Sequence, residues 1–397
     1  MLRRIVEPLL RLRAANAPAV LVTGPRQSGK TTLCRQTFPD LPYISLEAPH
    51  ERARALADPR EFLDRYRDGA ILDEVQRAPA LLSYLQGVLD DAPRKHGRFI
   101  LTGSHHLLLM ESVSQTLAGR VALLTLLPLS LEELAQSGRP PADLWTTLFT
   151  GGYPRIHDAG LPPQPWLADY FATYVERDVR EVLKIGQLTA FETFVHLCAG
   201  RSAQLVNFNA LGADAGVSQP TARSWLSALR TSYVVWTLPP WHANANKRLV
   251  KAQKLHLLDS GLLCFLLGIR DPGQLATHPL RGAIFETFVF SEILKARLHR
   301  GLPADLSFLR DAKGREIDLI LADAADAHAI EVKSTQTPFG EPLTEMARHD
   351  ELLSAPHGRK LRRTLLYGGD ETIPGSAGTI RSWRDLADPK WATPSGS

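Results

Sequence analysis

The stretch Gly24-Pro25-Arg26-Gln27-Ser28-Gly29-Lys30-Thr31 constrains this chain more than any other. It fits the pattern G-x-x-x-x-G-K-[ST] at every fixed position. Ahead of it, Ala19-Val20-Leu21-Val22 is a short apolar run that reads as a buried strand; behind it, Thr31-Thr32-Leu33-Cys34-Arg35 opens a helix. In that setting the glycines let the backbone curl until consecutive amides point at one phosphate, and the helix N-terminus adds its own field. Lys30 is placed to reach β- and γ-phosphates, and Thr31 to offer its hydroxyl to Mg²⁺. Gly24 to Thr32 is therefore expected to bind ATP.

With 397 residues the chain is long enough for two or three domains. At 44% hydrophobic and 22% charged residues it has the composition of an ordinary globular protein. A net charge of +4 is too small to argue for nucleic acid by itself. Cys34, Cys198 and Cys264 lie far apart and form no C-x-x-C, which suits a reducing compartment. No apolar run approaches the roughly 20 residues that span a bilayer, and the start lacks a secretory pattern. A cytoplasmic protein without membrane contact is expected.

Residues 1–137 read as one α/β unit. A short amphipathic helix over 3–13 leads into the first strand, and Tyr43-Ile44-Ser45-Leu46 is a second. Ala70-Ile71-Leu72-Asp73-Glu74 is an apolar strand ending in two acids. After a phosphate loop, Asp73 suits Mg²⁺, and Glu74 suits the orientation and deprotonation of an attacking water. Phe99-Ile100-Leu101-Thr102-Gly103-Ser104 is the next strand. Thr102 and Ser104 stand at its ligand-facing end, where one of them would sense the γ-phosphate or position water, or either would cap the next helix. Arg120, ahead of a last strand over 121–129, suits phosphate sensing in its own subunit or a neighbour's, or is a surface arginine in a turn.

These segments, with the Leu117-Ala118-Gly119-Arg120 turn and Pro128-Leu129-Ser130, resemble the prokaryotic AAA-type ATPases that carry a C-terminal domain of formerly unknown function. The resemblance continues through Gly151-Gly152-Tyr153-Pro154 and Leu258-Asp259-Ser260-Gly261-Leu262. His105, followed by His106, departs from the small polar residue usual in such proteins. The resemblance implies ATP hydrolysis, catalysis by Lys30 and Glu74, and a homo-oligomer in which Arg120 completes a neighbour's site.

Residues 138–274 begin with loops at Gly138-Arg139-Pro140-Pro141 and Gly160-Leu161-Pro162-Pro163. The Gly151–Pro154 turn between them would face the nucleotide. A long helical pattern follows, with Arg177-Asp178 as a family-like pair or a surface ion network. Then 205–211 reads as a short helix, Gly216-Val217-Ser218 as a turn, 219–229 as a second helix capped by Ser218, and 233–238 as a strand. That layout is winged-helix-like. Gln219, Thr221, Arg223 and Ser224 would meet a major groove, flanked by Lys247, Arg248, Lys251 and Lys254. A scaffolding role fits the same layout.

Residues 275–397 hold a second constellation. Gly282 to His299 reads as a helix, 306–310 and 315–321 as a hairpin, and 329–333 as a further strand. Alternation puts Glu331 and Lys333 on one side of that strand, with Asp318 within reach. The segment resembles the PD-(D/E)xK nuclease core, a restriction-endonuclease-like α/β fold. The resemblance implies that Asp318, Glu331 and, from the helix, Glu286 hold Mg²⁺ or Mn²⁺, and that Lys333 acts at phosphorus. The same groups as a buried ion network would make an inert copy of the fold. The whole reads as an ATP-hydrolysing motor or switch acting on DNA. The rival reading is a regulatory switch that binds a protein partner through an inert nuclease-like domain.

Overall fold

The computed structural model describes residues 2–103, 116–176, 188–241, 252–311, 313–323, 325–337, 341–350, 353 and 360–393. Helix α1 (Glu7–Asn16) starts later than the expected 3–13. Pro8 occupies its first turn, where the missing amide is harmless, and Arg4 just ahead is drawn into the interior. Strands β1 (Ala19–Thr23), β2 (Tyr43–Ser45), β3 (Ala70–Asp73), β4 (Phe99–Thr102) and β5 (Val121–Thr125) form a parallel sheet in the order β2-β3-β4-β1-β5. Strands β1, β3 and β4 are buried throughout, as unbroken apolar runs covered on both faces require. Helices α2 (Lys30–Thr37) and α3 (Ala80–Asp90) flank it.

The last strand of this sheet does not run to Leu129 as its apolar sequence suggested. It stops at Thr125, and the chain turns away so that the Leu129 amide donates to Gly152 O at 2.7 Å. Helix α4 (Leu131–Gln136) follows with a capping box: Ser130 accepts from the Glu133 amide, and the Glu133 carboxylate accepts from the Ser130 amide.

The Gly151-Gly152-Tyr153-Pro154 turn packs against this exit. A Cβ on Gly152 would lie 2.5 Å from Leu129 O, and one on Gly151 would lie 2.4 Å from Asp259 Oδ1, so both positions exclude side chains. Asp259 Oδ2 accepts the Gly152 amide at 2.8 Å. The turn opens α5 (Pro154–Ala159).

Next come α6 (Leu188–Gly200), β6 (Gln204–Leu205), α7 (Phe208–Ala215), α8 (Gln219–Thr231), β7 (Val235–Leu238) and β8 (Lys254–Leu257), with β8 central in an antiparallel sheet β6-β8-β7. The expected helix over 205–211 starts later, because Leu205 pairs with Lys254 and the Asn207 side chain caps α7. Helix α8 is capped by Ser218 as expected. Arg177-Asp178, Lys247, Arg248 and Lys251 lie outside the described residues.

Helix α9 (Ser260–Leu266) leads to α10 (Arg281–Leu298) and a six-stranded sheet. Its strands are β9 (Leu306–Arg310), β10 (Glu316–Ala322), β11 (Asp326–Lys333), β12 (Lys360–Tyr367), β13 (Ile373–Pro374) and β14 (Thr379–Ser382), in the order β13-β14-β12-β11-β10-β9. One hydrophobic core runs from Leu127 through the central helices to Trp391, so the central and C-terminal parts are packed as one mass. Residues 239–241 extend this continuity by bonding to Phe308 of β9.

Helix α10 is buried nearly all round, and its polar residues meet the exit of the first sheet. Lys295 Nζ donates to Leu129 O at 2.9 Å and to Glu292 Oε1 at 2.7 Å; Glu292 Oε2 accepts the Leu131 amide at 2.7 Å. From the other end of the chain, Arg4 donates to Glu133 Oε1 at 2.9 Å, Ser28 O at 2.7 Å and Leu127 O at 2.7 Å. His299 Nε2 accepts the Leu127 amide at 3.1 Å, so that nitrogen carries no proton.

Burial alone would raise the Glu133 pKa, but Arg4 and the capping bonds outweigh it and hold the carboxyl down to about 2. Since this lies below the unfolded value, the carboxylate stabilises the fold above pH 4.5 and loses that contribution as pH falls from 4.5 to about 2. Glu133→Gln leaves Arg4 buried without its counter-ion and is expected to cost about 3–5 kcal/mol near neutral pH. In urea unfolding the gap between wild type and variant should close over that acidic range. A gap that stays constant there assigns the stabilisation to something other than this carboxylate.

Candidate active site

The phosphate loop leaves β1 at Thr23. Gly24 takes φ 144°, and a Cβ there would stand 2.1 Å from Leu126 O, so only glycine allows the loop to pass under the segment leaving β5. Gly29 takes φ 94° at the N-cap of α2, the left-handed turn that aims the following amides inward. Lys30 Nζ donates to Gly24 O at 3.0 Å and Pro25 O at 2.8 Å. Burial lowers its pKa, with Glu74 and Asp73 opposing; a phosphate would offer the ammonium a stronger acceptor than these carbonyls. Ser28 Oγ is buried without a hydrogen-bond partner. Beside the loop is a cavity of about 320 Å³ lined by Gln27, Gly29, Lys30, Thr31, Thr32 and Glu74.

Strand order brings the acids to this loop. Because β4 lies between β3 and β1, Thr102 stands next to Asp73. Thr31 Oγ1 donates to Asp73 Oδ1 at 2.8 Å, Thr102 Oγ1 donates to the same oxygen, and Tyr43 OH donates to Oδ2 at 2.8 Å. The Thr31 hydroxyl and the Asp73 carboxylate are hard oxygen donors in contact, which fits Mg²⁺. Glu74 adopts φ 60°, ψ 48°, a left-handed conformation that costs a non-glycine residue about 1–2 kcal/mol. Its amide donates to Thr102 Oγ1 at 3.3 Å. Thr102 therefore holds Asp73 and the Glu74 backbone. Ser104, His105 and His106 lie outside the described residues.

Arg26 pairs with Glu47 at 3.1 Å and lies 5.9 Å from the Tyr174 ring centroid. Arg120 sits at the start of β5, where its carbonyl accepts the Ala19 amide, and its side chain pairs with Asp90. That is the amino edge of the sheet, a strand's length of about 13–16 Å from the loop at the carboxyl edge. In this structure the Arg120 side chain lies at the edge of the sheet away from its own subunit's phosphate loop.

Sequence reasoning missed three contributors. Tyr43 reaches Asp73 only through strand pairing, and Arg4 reaches Ser28 only through the fold. Arg155 lines the same cavity as Lys30 and is exposed. Its one signal was its place directly after the Gly151–Pro154 turn.

In the C-terminal sheet, Glu331 Oε1 accepts from Lys333 Nζ at 2.7 Å, and Asp318 Oδ2 accepts the Val332 amide at 2.9 Å. Burial and then Asp318 push the Glu331 pKa up to about 7, against Lys333. A residue absent from the sequence reasoning, Glu316, joins Glu286 and Asp318, with one oxygen from each within 4.8 Å of the others. Lys254 stands among them: its ammonium contacts Glu316 and lies 2.8 Å from Glu286 Oε1 and 3.6 Å from Asp318 Oδ1. Lys254 is thus a buried ion-pair partner at 1% exposure, and not part of an exposed basic flank. These carboxylates suit a hard cation, but a cation of the chain already stands between them.

Among the described residues, no helix is long and apolar enough to cross a membrane. An AAA domain model matches residues 16–135, and two domains of unknown function match the rest: DUF8612 over 141–273 and DUF4143 over 281–383. A Walker-type ATPase of Pyrococcus abyssi is similar at 14% identity over 66% of this chain and 94% of that one, with a TM-score of 0.45. RuvB of Thermotoga maritima is similar at 18% identity over 59% of this chain and 87% of that one, with a TM-score of 0.28. The uncharacterized proteins Rv2008c of Mycobacterium tuberculosis and Mb2031c of Mycobacterium bovis are each 36% identical over 377 residues, which is 94% of this chain and 81% of theirs. The chain belongs to the family of these two mycobacterial proteins, and its AAA domain makes it an ATP-hydrolysing protein.

Proposed function

We propose that the chain is an ATP-driven switch that acts on DNA through the unit built from α6 to β8. The observation that carries this reading is a contact at the base of the phosphate loop. Tyr233, between α8 and β7, places its hydroxyl 3.2 Å from Thr23 Oγ1 and 3.4 Å from Thr125 Oγ1. Thr23 is the residue before Gly24, so a change in the loop bears on the helix–hairpin unit directly. Helix, strand, two helices and a hairpin are the winged-helix order, and Gln219, Arg223 and Ser224 on α8 are exposed. The Arg223 guanidinium lies 4.2 Å from the Phe208 ring centroid, facing outward beside a cavity of about 390 Å³.

In the ATPase site, Lys30 and the loop amides hold the phosphates, Thr31 and Asp73 hold Mg²⁺, and Glu74 orients and deprotonates the attacking water. Mg²⁺ supplies charge neutralisation on the phosphate oxygens. Thr102 and Tyr43 fix Asp73, and Arg155 adds a cation to the cavity lining. Arg120 acts, if it is catalytic, on a neighbour's nucleotide in a homo-oligomer. The C-terminal sheet, with acids on β10, β11 and α10, supports the nuclease-like reading of its architecture; the lysine among those acids favours a binding role over cleavage.

Lys30→Ala should abolish ATP binding. Glu74→Gln should still bind ATP and lose turnover about 10²- to 10⁴-fold. Unchanged steady-state phosphate release in Glu74→Gln removes Glu74 from the mechanism.

Arg155→Ala should weaken ATP affinity or turnover about tenfold or more while the melting temperature stays near wild type, since a charge-assisted bond to phosphate is worth about 1.5–3 kcal/mol. Equal ATP affinity and turnover in wild type and Arg155→Ala take Arg155 out of the site.

DNA action is tested by filter binding to duplex, branched and single-stranded DNA, with and without a non-hydrolysable ATP analogue. Retention should depend on nucleotide and fall in Arg223→Ala, with a steep salt dependence. Absence of retention of all three substrates in both nucleotide states leaves a protein partner as the target of the switch.

A further inference from the structure

The carboxylates of the C-terminal cluster and the lysine among them come from different sheets. Glu316 and Asp318 are on β10, and Glu286 is on α10. Lys254 is the first residue of β8, in the three-stranded sheet of the helix–hairpin unit, where it pairs with Leu205 and Leu238. Its side chain crosses to the other sheet at the point where residues 239–241 run beside β9. The ammonium lies 5.4 Å from the Phe308 ring centroid, an aromatic face that adds to the cation's binding.

The charges match this crossing. Burial alone would depress the Lys254 ammonium, but Glu286, Asp318 and Glu316 outweigh it and hold its pKa above the ordinary lysine value. Burial and Asp318 push the Glu286 pKa well up, with Lys254 opposing. Three carboxylates this close repel one another strongly unless a cation stands between them or they take up protons. A divalent ion and a lysine ammonium answer that need from the same volume, and both cannot fit among oxygens that lie within 4.8 Å of one another.

We propose that Glu286, Glu316 and Asp318 form a cation site whose occupant in the free protein is the Lys254 ammonium, so that divalent metal binds there only in competition with this lysine. Withdrawal of the Lys254 side chain would open the site, and metal entry would in turn break the ionic contact that this lysine makes from β8 to the C-terminal sheet. The apparent metal affinity is the intrinsic one reduced by the fraction of molecules in which Lys254 has withdrawn. The competition holds whether or not the sheet cleaves nucleic acid.

The test is Mn²⁺ titration of the full chain without nucleotide, with free Mn²⁺ counted by electron paramagnetic resonance. Lys254→Met should bind one Mn²⁺ at least about tenfold more tightly than wild type, the ratio expected where no more than about a tenth of wild-type molecules are open. That gain should disappear in Lys254→Met/Asp318→Asn, which separates it from any ion held near Asp73. Mn²⁺ should also raise the melting temperature of Lys254→Met more than that of wild type. If Lys254→Met does not fold even with Mn²⁺, Lys254→Gln, which keeps a hydrogen-bond donor without the charge, carries the same comparison. Equal affinity in wild type and the folded lysine variant overturns the proposal, as does a folded variant that binds no Mn²⁺ at this cluster.

Discussion

The buried pair of Arg4 and Glu133 is the interaction on which the rest of the molecule hangs. Removing either partner leaves an uncompensated charge in the interior, which is far costlier than losing a surface pair. The pair holds more than itself. The same guanidinium bonds Ser28 O in the phosphate loop and Leu127 O in the segment leaving the first sheet. The same carboxylate closes the capping box of α4 and accepts the Ile5 amide. Helix α10 then clamps the other side of this segment through Glu292, Lys295 and His299. The nucleotide loop and the C-terminal helix are therefore two walls of one polar junction.

That junction explains motifs with no evident chemistry of their own. Pro128-Leu129-Ser130, Gly151-Gly152-Tyr153-Pro154 and Leu258-Asp259-Ser260-Gly261 are far apart in the chain, yet they interlock. The Leu129 amide donates to Gly152 O, Asp259 accepts the Gly152 amide, and a Cβ on Gly261 would lie 2.8 Å from Thr150 O. The glycines are there because backbone passes backbone at these points. The product of the interlock is a fixed start for α5, and with it the placement of Arg155 on the wall of the nucleotide cavity.

The two acidic centres differ in how their charge is balanced. Asp73 is met by three neutral hydroxyl donors, which orient the carboxylate without neutralising it, and so leave a cation something to bind. The C-terminal carboxylates are met by an ammonium, which offsets part of their charge directly. The first arrangement is ready for a metal that arrives with its nucleotide; the second is already filled. Because Lys254 belongs to another sheet, its position also reports how the helix–hairpin unit sits against the C-terminal sheet.

The chemistry of the phosphate loop was legible in the sequence because it depends on eight consecutive residues and on the backbone conformations that glycine alone permits. Strands β1, β3 and β4 were legible for a similar local reason: short apolar runs bounded by turns have few other ways to bury themselves. Asp73 and Glu74 were marked by their place at the end of such a run. Tertiary structure decided whatever depended on partners distant in the chain. Val121 to Leu129 is a largely apolar run, but its strand ends at Thr125, and beyond Pro128, which has no amide to pair, the Leu129 amide goes to Gly152. Lys254 looked like one of several solvated lysines, and only the packed fold puts its ammonium among carboxylates of β10 and α10. Arg4 carried no signal of its own in the sequence, and is a buried clamp because Glu133, more than a hundred residues away, supplies a carboxylate to pair with it. Local sequence fixes which backbone shapes and reactive groups are available. The pairing of buried charges is a long-range balance, and it is settled only when the whole chain has packed.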